Sequence, residues 1–102
     1  MMATAPADVD LHLSITGRVQ GVGFREALVA QARAVPARGW VRNRADGSVE
    51  AVLRAPAPSL ARLIAWAHQG PPAARVERVE QRAASPAESA LVGAGFARLP
   101  SA

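Results

Sequence analysis

The sequence predicts an α+β sandwich in the order β-α-β-β-α-β, an antiparallel sheet with two helices on one face and a short C-terminal strand. Three observations predict it. Val9, Leu11, Leu13 and Ile15 alternate with Asp10, His12, Ser14 and Thr16, the period-two signature of a half-buried strand. Two later segments, around Leu28 and around Leu63, carry apolar residues at helical spacing. Between them, two β-rich runs are joined through Asp46-Gly47, the dipeptide of a hairpin turn.

Residues 1–7 are rich in Ala and Pro and are expected to be a disordered lead-in to a single domain over 8–102. The first strand puts Asp10, His12 and Ser14 on its polar face, where they are expected to meet solvent. Phe24, Leu28, Ala32 and Val35, with Ala27 and Gln31 beside them, form one face of a helix over about Gly23–Ala34. Pro36 ends it, because the residue before a proline is disfavoured in helical conformation. A second strand is expected at Trp40–Arg44 and its returning partner at Val49–Arg54.

Leu60, Leu63, Ile64 and Ala67 follow the i, i+3, i+4, i+7 pattern of a second helix, with Ser59 as its expected cap and Gly70-Pro71-Pro72 as its end. The fourth strand, Ala74–Gln81, has Val76 and Val79 out of phase for period two, which fits a bulge or an edge position. Residues 82–95 read as a loop, and Gly95–Leu99 as a short last strand anchored by Phe96. Right-handed crossovers place both helices on one side of the sheet, the ferredoxin-like split arrangement.

Composition narrows the chemistry. The 102 residues contain no cysteine, which removes disulfides and thiolate metal sites. No apolar run approaches the roughly 18 residues of a membrane span. Met1 to Ala7 has neither a basic nor a long apolar segment, so a cytoplasmic protein is expected. The net charge is +4, and all twelve basic residues are Arg. Alanine abundance and arginine in place of lysine fit GC-rich coding of the bacterial kind. The arginines are scattered singly from Arg18 to Arg98, which argues against a dedicated nucleic-acid surface.

The richest stretch is Gly17-Arg18-Val19-Gln20-Gly21-Val22-Gly23-Phe24-Arg25, where a strand runs into a glycine turn and a helix runs out. Glycines allow left-handed backbone and close approach to a ligand. The helix N-terminus attracts anions, and Arg25 adds a planar, permanently charged fork. A nucleotide reading fails: there is no lysine for a P-loop, and Glu26 stands where a dinucleotide motif starting at Gly21 needs glycine. Nucleophilic catalysis is poorly supplied too, since Cys, Tyr and Lys are absent and Ser14 and Thr16 have no evident base. Positioning and charge stabilisation remain, which suits phosphoryl transfer to water. Asn43, in the second strand, could orient a water near the loop mouth, or it could simply support the hairpin.

The loop, followed fourteen residues after Arg25 by Gly39-Trp40-Val41-Arg42-Asn43, resembles the acylphosphatase family. Asp46-Gly47-Ser48-Val49-Glu50 and Gly70-Pro71-Pro72 extend the resemblance over about Asp10 to Leu99. It implies the ferredoxin-like fold and hydrolysis of the carboxyl–phosphate bond of acyl phosphates to carboxylate and inorganic phosphate, without metal or cofactor. It implies Arg25 as the phosphate grip, Asn43 as the water holder, and backbone N–H groups of Val19, Gln20, Gly21, Val22, Gly23 and Phe24 as the phosphate cradle. The expected partner is a small acyl phosphate, not nucleic acid or membrane, and a monomer is expected. Glu26 departs from the aromatic residue many members carry after the arginine, and is expected to point away from Arg25. A second reading is an accessory module like the acylphosphatase-like domain of carbamoyltransferase hydrogenase-maturation proteins, but those carry zinc-finger-like cysteines. A third, an RNA-binding sheet, lacks stacking aromatics on the first strand.

Overall fold

A computed structural model describes residues 8–102. The lead-in expected at residues 1–7 lies outside the described residues. The elements run β1 (Val9–Arg18), α1 (Phe24–Ala34), β2 (Arg38–Asn43), β3 (Val49–Ala55), α2 (Ala57–Gln69), β4 (Arg75–Ala83), α3 (Pro86–Ala90) and β5 (Phe96–Arg98). The sheet order is β4-β1-β3-β2-β5. β1, β2, β3 and β4 pair antiparallel, as the split order requires, whereas β5 joins β2 in parallel and makes the whole sheet mixed.

The alternation of β1 sends Leu13 and Ile15 into the main core, where they meet Val49, Ala51 and Leu53 of β3 and the buried faces of both helices. Phe24, Leu28 and Ala32 of α1, and Leu60, Leu63 and Ala67 of α2, supply those faces. Gln31 is exposed, so the α1 face is completed by half-buried Val29 instead. β4 is an edge strand, and its register against β1 shifts between Thr16 and Gly17, so the phase break around Val76 marks a bulge at an edge.

Three expectations need correction. α2 begins after Pro56 with no side-chain cap, because the proline at the cap position has no side-chain acceptor; Ser59 lies inside the helix. Residues 82–95 are not wholly loop: β4 extends to Ala83, and Ser85 starts α3 with a reciprocal capping box to Glu88. The polar face of β1 is not left to solvent either. His12, Val52 and Trp40 form one row across β1, β3 and β2, and all three are buried. The cover is α3, held down where Trp40 Nε1 donates to the Glu88 carbonyl at 3.0 Å.

Candidate active site

The loop between β1 and α1 is built by two buried anchors around glycines that no other residue replaces without strain. Val19 and Phe24 are buried, and the Phe24 ring packs on Trp66 of α2 at a centroid distance of 5.3 Å. Between them Gly21 and Gly23 adopt φ of 71° and 82°, the left-handed region that costs L side chains roughly 1–2 kcal/mol. Gly23 also caps α1, without any side-chain oxygen to take the first amides. Among the described residues, the amides of Gln20, Gly21, Val22 and Gly23 donate to no protein acceptor. These orphan donors and the positive end of an eleven-residue helix are what an anion needs.

A cavity of about 200 Å³ sits at this turn, lined by Val19, Gly21, Gly23, Phe24, Arg25, Glu26 and Arg98. Arg25 is half-buried and has no ion-pair partner among the described residues. Glu26 turns away from it, to Arg98 of β5, whose Nη1 lies 2.6 Å from Glu26 Oε1. Of the residues expected to form the cradle, Gln20 and Val22 are not among the cavity lining. Val22 packs against the core, and the Gln20 side chain has a structural task. Its Nε2 donates to the carbonyls of Arg44 and Ser48, at 2.8 and 2.9 Å, and staples the loop to the β2–β3 hairpin.

Asn43 is the last residue of β2, next to the carbonyl that Gln20 holds. It does not line the 200 Å³ cavity. Its Oδ1 is buried and has no protein hydrogen-bond partner, an uncommon and costly condition for a polar atom. Its backbone carbonyl is taken by the amide of Ala102, so the chain beyond β5 continues alongside β2 as far as this point. The hairpin turn itself is fixed by Asp46, whose Oδ1 accepts from the Ser48 amide at 2.9 Å. That hydrogen bonding with Ser48 holds the Asp46 carboxyl below its usual range.

Behind the sheet lies a charged network that the sequence did not disclose. His12 Nε2 is 2.8 Å from Glu50 Oε1 and 3.7 Å from Glu88 Oε2. Arg42 Nε donates to Glu50 Oε2 at 2.7 Å, and Arg82 forks onto Glu88 with two contacts of 2.8 Å. Burial pushes the Glu50 carboxyl up, but the bonds from His12 and Arg42 outweigh it and leave it below its ordinary value. The Arg82 fork brings Glu88 down to about 2. The three groups have metal-ligand spacing, within 4.8 Å of one another. Their carboxylates are nonetheless committed to Arg42 and Arg82, and Arg44 adds a third positive charge 3.8 Å from Glu50. The set is an ion network that clamps α3 to the sheet.

A larger cavity, about 620 Å³, lies at the other end of the sheet around Arg38, Arg54 and Leu91. Its Arg54 is forked by Asp10 at 2.6 Å and its Arg38 is tied to the Gly93 carbonyl, so its guanidiniums serve the fold.

Comparison with known proteins shows the family. The family model described as Acylphosphatase matches residues 11–97. An acylphosphatase from Acidovorax sp. (strain JS42) is 54% identical over 79 residues, 78% of this chain and 81% of that protein. Among solved structures, an acylphosphatase from Coxiella burnetii superposes with a TM-score of 0.80 at 30% identity, over 91% of this chain and 94% of its own. One from Bacillus subtilis gives a TM-score of 0.80 at 28% identity, over 89% and 98%. With the family match spanning both the glycine loop and Asn43, the chain belongs to the acylphosphatase family of hydrolases.

Proposed function

We propose that the chain hydrolyses the carboxyl–phosphate bond of acyl phosphates with Arg25 and loop amides from Val19 to Phe24 holding the phosphoryl group and Asn43 orienting the attacking water. The observation that carries this reading is the place of Asn43 at the end of β2, on the hairpin that Gln20 ties to the glycine loop. A carboxamide held there orients a water by hydrogen bonding, without taking its proton.

The water oxygen attacks phosphorus as the bond from phosphorus to the carboxyl oxygen breaks. The carboxylate departs with the bonding electrons. It is a stable anion and needs no general acid, and the phosphate oxygens take up the water proton. Arg25 and the loop amides stabilise the equatorial oxygens in this loose transition state. These groups supply the required positive charge without a metal or cofactor. Glu26 points toward Arg98 and away from Arg25. The enzyme is proposed to act as a cytoplasmic monomer on a small anionic substrate, not on nucleic acid or a membrane; no helix among the described residues is long and apolar enough to cross one.

The test is steady-state hydrolysis of benzoyl phosphate, with inorganic phosphate competing and EDTA leaving the rate unchanged. Absence of turnover, or its loss on chelation, overturns the reading.

A further inference from the structure

We infer that Arg98 and Arg33 give this site a preference for acyl phosphates whose acyl group carries a negative charge of its own; the inference rests on the acyl-phosphate reading above. Glu26, Val29, Ala30 and Arg33 stand at i, i+3, i+4 and i+7 on α1 and therefore form one stripe along the helix. With Arg98 of β5 they line a second cavity of about 390 Å³. That cavity shares Glu26 and Arg98 with the one at the phosphate loop. The Glu26–Arg98 pair is thus a common wall between the two spaces. A substrate with its phosphoryl group at the loop lays its acyl group across this wall, onto Val29 and Ala30, with Arg33 about 10 Å further along the helix axis than Glu26.

The charges in this second space are two guanidiniums against one carboxylate. Neither guanidinium is saturated. Arg98 is seen to spend one Nη on Glu26, and Arg33 one Nη on the Phe96 carbonyl at 3.2 Å, out of five N–H donors each. The Glu26 side chain is 75% exposed, so its ion pair with Arg98 is solvated and weak. A carboxylate on the substrate meets Arg98 in a fork that the single Glu26 contact does not use. A neutral acyl group gains only the contact with Val29 and Ala30.

The test compares para-carboxybenzoyl phosphate with para-methylbenzoyl phosphate, two rigid compounds of similar shape that differ in charge. At low salt the wild-type protein is expected to show a kcat/KM roughly tenfold higher for the carboxylate compound. Arg98→Ala is expected to bring that ratio to within about twofold of one, and Arg98→Lys to restore part of it. Arg98→Gln serves if the alanine variant is misfolded by circular dichroism. Arg62→Ala, an exposed arginine on α2, lowers net charge equally and is expected to leave the ratio intact. Equal kcat/KM for the two compounds in the wild type, or a ratio that survives in both Arg98→Ala and Arg33→Ala, overturns the inference while leaving acyl-phosphate hydrolysis standing. If neither compound is hydrolysed, the underlying reading fails and the inference falls with it.

Discussion

Gln20 and Arg44 are joined by a hydrogen bond of 2.8 Å from the Gln20 carboxamide to the Arg44 carbonyl, with a companion bond to Ser48 at 2.9 Å. One side chain therefore fixes the spacing between the loop that carries Arg25 and the strand end that carries Asn43. Gln20→Ala is expected to lower kcat/KM for benzoyl phosphate by about 10- to 100-fold, because a misplaced catalytic group is costly even when chemistry is intact. Unfolding in urea should show a smaller loss, about 1–2 kcal/mol for two hydrogen bonds. Kinetics and urea titration of the same variant check both.

Gly23 has φ of 82° with no atom within 4 Å of where a Cβ would stand. The cost of Gly23→Ala is therefore conformational and not steric, about 1–2 kcal/mol. Relief comes if the turn relaxes, which moves the loop amides. The expected outcome is a lower urea midpoint together with a weakened inhibition constant for inorganic phosphate. A variant with wild-type phosphate inhibition would remove the loop amides from the cradle.

Acid stability follows from the network behind the sheet. Glu88 titrates at about 2, chiefly because Arg82 forks onto it, and Glu50 is also below its usual 4.5. Both carboxyls bind protons more weakly in the folded chain than in the unfolded one. Their contribution is thus complete above about 4.5 and is lost as pH falls toward 2. Thermal midpoints should be level from neutrality to about pH 5 and then fall. Glu88→Gln is expected to start lower and to descend less steeply, which calorimetry across that range measures.

The capping box of α3 has a separate consequence. Ser85 Oγ accepts from the Glu88 amide at 3.2 Å, while Glu88 Oε1 accepts from the Ser85 amide at 2.8 Å. Ser85→Ala should cost about 1 kcal/mol. Because α3 covers Trp40 and His12, the same variant should expose the Trp40 indole. A red shift in tryptophan emission before global unfolding checks it.

What the sequence makes legible is what depends on local spacing. β1, α1 and α2 show themselves in a period of two or of 3.6, the hairpin in its Asp46-Gly47 turn, and the structure keeps all four. The glycine loop is legible for a related reason: left-handed positions demand glycine, and Gly21 and Gly23 occupy them. α3 carried a readable signal, Ser85 followed three residues later by Glu88, but it was submerged in an Ala- and Gly-rich stretch. The burial of His12 was not legible, since alternation tells which face a residue is on and not what returns to cover it. Nor was the role of Arg98. Its partner Glu26 is 72 residues away, and only the parallel pairing of the three-residue β5 with β2 brings it to the loop.

In the proposed mechanism Arg25 holds phosphate and Asn43 holds water. The direct measurement is inorganic phosphate binding by calorimetry alongside kcat for benzoyl phosphate in Arg25→Ala and Asn43→Ala. Arg25→Ala should weaken phosphate binding by roughly 10- to 150-fold, the worth of a charge-assisted hydrogen bond. Asn43→Ala should bind phosphate as the wild type does while kcat drops by about 100-fold. Turnover at the wild-type rate in Asn43→Ala, or unchanged phosphate affinity in Arg25→Ala, would contradict the account.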